Sequence, residues 1–461
     1  MITSSAFAGK RYAVLGLARS GAASVEALLA SGAEVVAWDR VTDRRAAFEG
    51  RCDLADPLVL DLTGFDAVVV SPGVPLNTHP IGPHAAKHGV PVIGDIELFA
   101  LARRDTVDHR VVGITGTNGK STVTALTHHI LAMAGIPAVM GGNIGEPIMR
   151  RDPPAPGENG AGVYVLELSS FQIDLTFSLD AEAAALTNIT PDHLDRYADY
   201  AAYAAAKERL FAMQSARGFA VFGTDDGPTG AIRARQVERR GDGRAPLADL
   251  ARFAPLQPEW PALQGPHNLQ NVAVAVALAE EMGVTEAQWR HALPRFRGLP
   301  HRMERTCEAD GVLYVNDSKA TNPASAAPAL AAFPRDPAIN DGAERIHWIV
   351  GGLAKEDGLA ECEAHLGNIA AAYTVGEAGP HLADLLESRI ARVERCDLIA
   401  EAVARAHAAA RPGDVVLLSP ACASYDQFRD YEKRGQHFRH LVGAIAGCET
   451  CAPDRFAGED A

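Results

Sequence analysis

Residues 111–124 read VVGITGTNGKSTVT, an apolar run that flows into Gly116-Thr117-Asn118-Gly119-Lys120-Ser121-Thr122 and then into a helical pattern. Gly113, six residues before Gly119, reads as the first glycine of the general pattern G-x-x-x-x-G-K-[ST]. The chemistry is anion binding. Glycines let the backbone wrap a phosphate, and successive N–H groups and the positive end of the helix dipole point at it. Lys120 is long enough to reach β- and γ-phosphates, and the Ser121 or Thr122 hydroxyl is suited to Mg²⁺.

Other groups able to do chemistry stand at the ends of short apolar runs. The run VYVLEL carries Glu167, a carboxylate suited to Mg²⁺, followed by Leu-Ser-Ser-Phe-Gln. The next run ends in TNITPDHLDRY, which brings Asn188, Asp192, His193, Asp195 and Arg196 to the same rim. His193 suits a metal, a phosphate or a supporting position equally. Lys207, in YAAYAAAKERLFAM, reads by spacing alone as a solvated helix lysine. Asn268 and Asn271 share a helical face, with Asn268 near enough to the helix start to cap it. His301-Arg302 stands at a segment junction, where an arginine is able to swing onto a γ-phosphate. The stretches Asn316-Asp317-Ser318-Lys319-Ala-Thr321-Asn322, Lys355 after a Gly-Gly turn, and Ser419 to Phe428 each follow a strand, so they should line one pocket. Cys422 has no base near it in sequence and reads as packing.

The elements that must position these groups alternate short β-rich runs with helical patterns, the signature of parallel α/β sheets. A first segment starts with RYAVLGLA, a turn Gly16-Leu-Ala-Arg-Ser-Gly21, a helix, and AEVVAWD ending at Asp39. Position 18 is alanine, so the dinucleotide fingerprint is incomplete. Asp39 stands where a ribose-binding acid is usual, and Ser71-Pro72-Gly73 ends the third strand over the same ligand. The stretch around 225–258, rich in Arg, Asp, Gly and Pro, reads as a loop or edge. The tail after about 446 reads as frayed.

The chain has 461 residues, too many for one core. Its 43 Lys+Arg against 58 Asp+Glu give a net charge of −15, which argues against nucleic acid and anionic membranes as partners. No signal peptide and no apolar run long enough to span a bilayer is evident. Seven scattered cysteines suggest reduced thiols and a cytoplasmic setting. A lone CxxC, Cys448 and Cys451, carries no second pair that would make a metal site.

Taken together, the motifs resemble the Mur ligase family of ATP-dependent amide-bond ligases. The resemblance runs in order through YAVLGLARSG, VVVSPG, GDIELF, ITGTNGKST, GGNIG, LELSSFQ, NITPDHLDRY, GPHN, GLPHR, NDSKATN, GG-x-x-K and LSPACASYDQF. The segments SPG, GDIEL, NDSKATN and SPACAS-x-DQF resemble the branch that adds D-glutamate to UDP-N-acetylmuramoyl-L-alanine in peptidoglycan precursor synthesis. The alternatives are a sister ligase adding another amino acid and a nucleotide-dependent regulatory pseudoenzyme. An NAD-dependent oxidoreductase is disfavoured by the missing middle glycine.

The resemblance implies an α/β fold of three domains: a Rossmann-like UDP-sugar-binding domain (1–105), a P-loop-type central ATPase (106–298) and a Rossmann-like amino-acid-binding domain (299–461). It implies ATP, two Mg²⁺ ions and a monomer. Its motifs assign triphosphate and Mg²⁺ to Gly116, Thr117, Asn118, Gly119, Lys120, Ser121 and Thr122. They assign the metal site to Ser121, Glu167, His193 and Lys207, the last as a carbamylated lysine. Leu17, Asp39, Arg40, Ser71 and Gly73 fall at the uridine site, and Asn143, Ser169, Gln172 and His193 along the rest of the UDP-sugar substrate. Asn271, Arg302, Asp317 and Lys319 fall to ATP. Thr321, Lys355, Ser424, Tyr425 and Tyr431 fall to D-glutamate, with Tyr431 standing where the family carries a phenylalanine.

Overall fold

The computed structural model describes residues 1–157, 160–193, 195–224, 226–355 and 358–447. These form two compact units. Met1–Trp260 with Pro266–Arg295 makes the first, and Pro261–Gly265 with Phe296 onward makes the second.

The first unit carries two parallel sheets. One is built from β1 (Arg11–Leu15), β2 (Glu34–Trp38), β3 (Asp53–Leu54), β4 (Ala67–Val70) and β5 (Val92–Ile93), in the order β3-β2-β1-β4-β5. The other is built from β6 (His109–Thr115), β7 (Ala138–Gly142), β8 (Gly162–Glu167), β9 (Ala183–Leu186) and β10 (Phe219–Phe222), in the order β10-β9-β6-β8-β7. Both orders reverse beside the first strand of the sheet. Ligand crevices of such sheets open at that point, outside the carboxyl ends of the strands.

These strands read as unbroken apolar runs because both faces are covered. Tyr12 and Val14 turn to one side with Phe7, Ala27 and Leu28. Ala13 and Leu15 turn to the other with Val68, Val70, Phe65 and Ile81. The cluster around Tyr12 continues through Val111, Tyr164 and Leu166, so one apolar core joins the two sheets of this unit.

The second unit has β11 (Glu304–Ala309), β12 (Val312–Asn316), β13 (Ile346–Gly351), β14 (Ile369–Val375), β15 (Val393–Arg395) and β16 (Val415–Leu418), in the order β11-β12-β16-β13-β14-β15. All its pairings are parallel except the β11–β12 hairpin at one edge. Val315, Trp348, Val350 and Leu417 pack on one face. Tyr314, Ile349, Tyr373, Val416 and Leu418 pack on the other.

One local expectation needs correction. The stretch 225–258 contains a 14-residue helix, Gly227–Arg240, started by Asp226, whose carboxylate accepts from Thr229 N at 2.7 Å. Its glycines and arginines mask the helical period, and buried Thr229, Ile232 and Gln236 reveal it. Asn268 and Asn271 do share a face of the helix Pro266–Glu281, where Asn268 Oδ1 accepts from Asn271 Nδ2 at 3.2 Å.

Cys52, Cys362, Cys396 and Cys422 are free thiols. Cys448 and Cys451 lie outside the described residues. Among the described residues no helix is long and apolar enough to cross a membrane.

Candidate active site

The phosphate loop leaves the carboxyl end of β6, the central strand of its sheet, and enters the helix Lys120–Met133. Its glycines are Gly116 and Gly119. Gly113 lies inside β6, one residue too far from Gly119 for the general pattern, which is the correction to that reading. Gly116 has φ +146°, and a Cβ there would meet Thr187 Oγ1 at 1.9 Å. Gly119 has φ +84°, and a Cβ there would meet Asn271 Oδ1 at 2.4 Å. Both positions therefore require glycine, for conformation and for space.

The loop is held by the strand beside it. Thr117 N donates to Asn188 O at 2.8 Å and Asn118 N to Asn188 Oδ1 at 2.8 Å. Thr187 Oγ1 and Asn188 Nδ2 both donate to Asn118 O. Asn188 thus buttresses the loop. Gln270 supports the same edge, its Nε2 donating to Thr187 O and its Oε1 accepting from Thr224 N.

Two ammonium groups converge on the loop. Lys120 Nζ donates to Gly116 O at 2.9 Å and Thr117 O at 2.6 Å. Lys207 Nζ donates to the same Gly116 O at 2.8 Å. Lys207 lies on the helix Tyr200–Met213, which Asp199 caps through Ala202 N. It is 1% exposed, against the solvated reading of its spacing. Burial, then the Lys120 charge, push its pKa well below the ordinary lysine value, and Asp192 and Asp174 pull it partly back.

Glu167 ends β8, beside β6, and is 2% exposed. Asn143, which follows β7, donates from Nδ2 to Glu167 Oε1 at 2.8 Å and from its backbone N to Glu167 O at 2.8 Å. Ser121 is buried at the first turn of the loop helix. His193 adopts φ 53° and packs its ring against Phe171, 4.9 Å between centroids. Burial lowers the His193 pKa, which leaves the imidazole neutral and its lone pair available. Among the described residues no three His, Cys, Asp or Glu side chains cluster closely enough to hold a metal ion by themselves.

A cavity of about 500 Å³ opens at the carboxyl ends of the first sheet and reaches the second. Asp39, Arg40, Ser71, Gly73, Asn143 and Gln172 line it, together with Arg19, Arg44 and His79. Leu17 and Ser169 stand behind the wall. Leu17 N donates to Asp39 Oδ2 at 2.7 Å, and Ser169 caps its helix by accepting from Gln172 N. Asp39 also accepts from Val41 N and Arg44. Burial would raise its pKa, but these donors outweigh burial and lower it. Gly21 packs against the turn so closely that a Cβ would fall 1.7 Å from Gly16 O.

The GDIELF segment does work that spacing did not reveal. Gly94 N donates to Leu175 O at 2.9 Å. Glu97 accepts from Phe177 N, Ser178 N and Ser178 Oγ. Asp95 is buried at this junction, near Gln172 and Ser20, and burial raises its pKa to about 6. The segment thereby docks the short helix that carries Gln172.

In the second unit, Asp317 accepts from Ser419 Oγ at 2.7 Å and Met303 N at 3.1 Å, and burial raises its pKa to about 7. These bonds tie the His301-Arg302 turn to the end of β12. Lys355 Nζ donates to Thr321 Oγ1 at 3.2 Å. Lys319 Nζ lies 5.7 Å from the Tyr431 ring centroid. Ser424 is buried, whereas Tyr425 is exposed. Cys422 is buried with a raised pKa of about 11, caused first by burial, in keeping with a packing role.

Residues 114–242 match the Mur ligase middle domain, and residues 301–422 match the domain described as "Mur ligase, glutamate ligase domain". The UDP-N-acetylmuramoylalanine--D-glutamate ligase of Novosphingobium aromaticivorans is 60% identical over 98% of this chain and 99% of its own. That of Sphingopyxis alaskensis is 56% identical over 96% and 100%. The crystal structure of the UDP-N-acetylmuramate-alanine ligase from Thermotoga maritima shares the fold, with 18% identity, a TM-score of 0.56, and coverage of 94% of this chain and 99% of that one. From this likeness over nearly its whole length, the chain belongs to the Mur ligase family and groups within it with the UDP-N-acetylmuramoylalanine--D-glutamate ligases.

Proposed function

We propose that the protein is an ATP-dependent ligase that adds D-glutamate to UDP-N-acetylmuramoyl-L-alanine in cytoplasmic peptidoglycan precursor synthesis, acting as a monomer. The observation that carries this reading is the convergence of Lys120 and Lys207 on Gly116 O, at the end of the strand next to the one that ends in Glu167. In this reading residues 1–105 bind the UDP-sugar, 106–298 bind ATP, and 299–461 bind the amino acid.

The reaction needs the L-alanyl carboxylate to become an electrophile. A carboxylate oxygen attacks the γ-phosphorus of ATP, ADP leaves, and an acyl phosphate forms. The amine of D-glutamate then attacks the acyl carbon, and phosphate departs as the amide forms. Negative charge accumulates around the transferred phosphoryl group, so fixed positive charge and oriented N–H groups lower the barrier. Gly116 to Thr122 cradle the triphosphate, and Lys120 turns from the loop carbonyls to the phosphates. Asn271, Arg302, Asp317 and Lys319 contact the nucleotide. Leu17, Asp39, Arg40, Ser71 and Gly73 shape the uridine end, with Asn143, Ser169, Gln172 and His193 along the substrate. Thr321, Lys355, Ser424, Tyr425 and Tyr431 take D-glutamate.

The donors fit Mg²⁺. A buried hydroxyl (Ser121), a buried carboxylate (Glu167) and a neutral imidazole (His193) surround the loop. Among the described residues too few acids cluster to hold an ion unaided, so phosphate oxygens and water would complete its shell. When bound, two Mg²⁺ ions offset phosphate charge. Lys207 supplies a further oxygen ligand if its amine has reacted with CO₂. The depressed pKa supports this, because only the neutral amine reacts.

The test is phosphate release from ATP with Mg²⁺ and UDP-N-acetylmuramoyl-L-alanine, with D-glutamate, L-glutamate, L-alanine, L-lysine or meso-diaminopimelate. Release that requires D-glutamate is expected. Release with another amino acid only would assign the chain to a sister activity, and no release would leave a nucleotide-dependent switch.

A further inference from the structure

Arg434 is 2% exposed, on the first turn of the helix Tyr431–Ala446 in the second unit. Among the described residues no carboxylate accepts from it. Its Nε donates to Ser318 Oγ at 3.0 Å, Nη2 to Ser318 O at 2.8 Å and Cys422 O at 3.0 Å, and Nη1 to Ala423 O at 3.2 Å. Ser318 Oγ in turn donates to Tyr431 O at 2.8 Å. Ala423 in turn exchanges both backbone hydrogen bonds with Leu353, at 2.9 Å each. A Cβ on Gly352 would fall 2.3 Å from Ala423 O and 3.1 Å from Arg434 Nη1. One planar guanidinium therefore sits behind three loops. Ser318 precedes Lys319 and Thr321, Gly352-Leu353 precedes Lys355, and Cys422-Ala423 precedes Ser424.

We infer that Arg434 is the positioning residue of the amino-acid pocket, fixing the spacing of the loops that carry Thr321, Lys355 and Ser424 and adding a buried positive charge behind them. The inference rests on the reading of that pocket as the D-glutamate site. A fork with several rigid donors is what holding three loops at once requires, and a lysine has no such fork. Burying a charge among neutral oxygens is costly. A ligand with two carboxylates recovers part of that cost through the field of the guanidinium. Burial lowers the Arg434 pKa only to about 10, so the charge persists at neutral pH.

The experiment compares wild type, R434K, R434M and S318A, with KM for the amino acid and for the UDP-linked substrate measured separately. For R434M the amino-acid KM should rise on the order of tenfold or more while the UDP-substrate KM stays within about twofold. R434K should recover part of the loss, because it restores charge without the fork. Equal changes in both KM values, or R434K no better than R434M, would overturn the inference. Where the Arg434 variants do not fold by thermal melting, S318A decides. A rise of about threefold in amino-acid KM is expected, and wild-type values would overturn it. The amino acid used is whichever one the wild type accepts. Failure of the D-glutamate reading then shows in the wild type, and failure of the Arg434 inference shows only in the variants.

Discussion

Lys120 and Lys207 donate to one carbonyl oxygen, Gly116 O, at 2.9 and 2.8 Å. Burial first, and then the charge of Lys120 on the shared acceptor, push the pKa of Lys207 down. Its neutral form is favoured, and a neutral amine reacts with CO₂ where an ammonium does not. K207R keeps a cation but cannot form the carbamate, so it should lower kcat by about 100-fold or more. Wild-type enzyme in CO₂-depleted buffer should lose activity and regain it with bicarbonate. Full activity of K207R would exclude a functional carbamate.

The loop glycines should be intolerant of a methyl group. G119A places a Cβ against Asn271 Oδ1 in a left-handed conformation. We expect nucleotide affinity to fall by at least about tenfold, the equivalent of roughly 1.4 kcal/mol, as read by titration calorimetry with a non-hydrolysable ATP analogue. The UDP-linked substrate should bind as before.

Glu97 should prove structural. Its carboxylate takes two backbone N–H groups and a hydroxyl from the segment after the Gln172 helix. E97Q keeps the shape but removes the charge that strengthens those bonds. A loss of about 1–3 kcal/mol in urea unfolding is expected, with a higher KM for the UDP-linked substrate because Gln172 lines its cavity.

Asp317 sets a pH dependence of stability. Its folded pKa of about 7 lies above the ordinary carboxylate value of 3.8, so the folded state binds the extra proton between these values. The stabilisation it contributes is therefore full below the unfolded pKa and is lost as pH rises through about 7. D317N stays uncharged and lacks this loss. The melting temperature of wild type relative to D317N should fall between about pH 4 and 7 and level off above, and a constant difference would contradict the assignment.

Much of this was legible in the residues. Apolar runs such as VYVLEL and IHWIVGG are strands buried on both faces, and such runs survive without tertiary information. The polar groups that follow them, Glu167, Asn188 and Asp317, sit at carboxyl strand ends as a parallel sheet requires. The short strands β3 and β5 were not legible, because two residues carry no period. Nor was the burial of Lys207, which depends on the sheet packed against its helix. Arg434 lies in the charged run YEKRGQHFRH, where it looks like its solvated neighbours. Phe438 and Val442, four and eight residues further on, are the apolar marks of the buried face, and Gly435 beside it approaches so closely that a Cβ would meet the His301 ring at 2.2 Å.

The central claim is an acyl phosphate made from the L-alanyl carboxylate. It is tested most directly with UDP-N-acetylmuramoyl-L-alanine carrying ¹⁸O at both oxygens of that carboxylate, turned over with ATP and D-glutamate. The account predicts one ¹⁸O in each phosphate released, because the attacking oxygen leaves with phosphorus. Phosphate released without the label would mean that water, not the carboxylate, attacks ATP, and the proposed mechanism would be wrong.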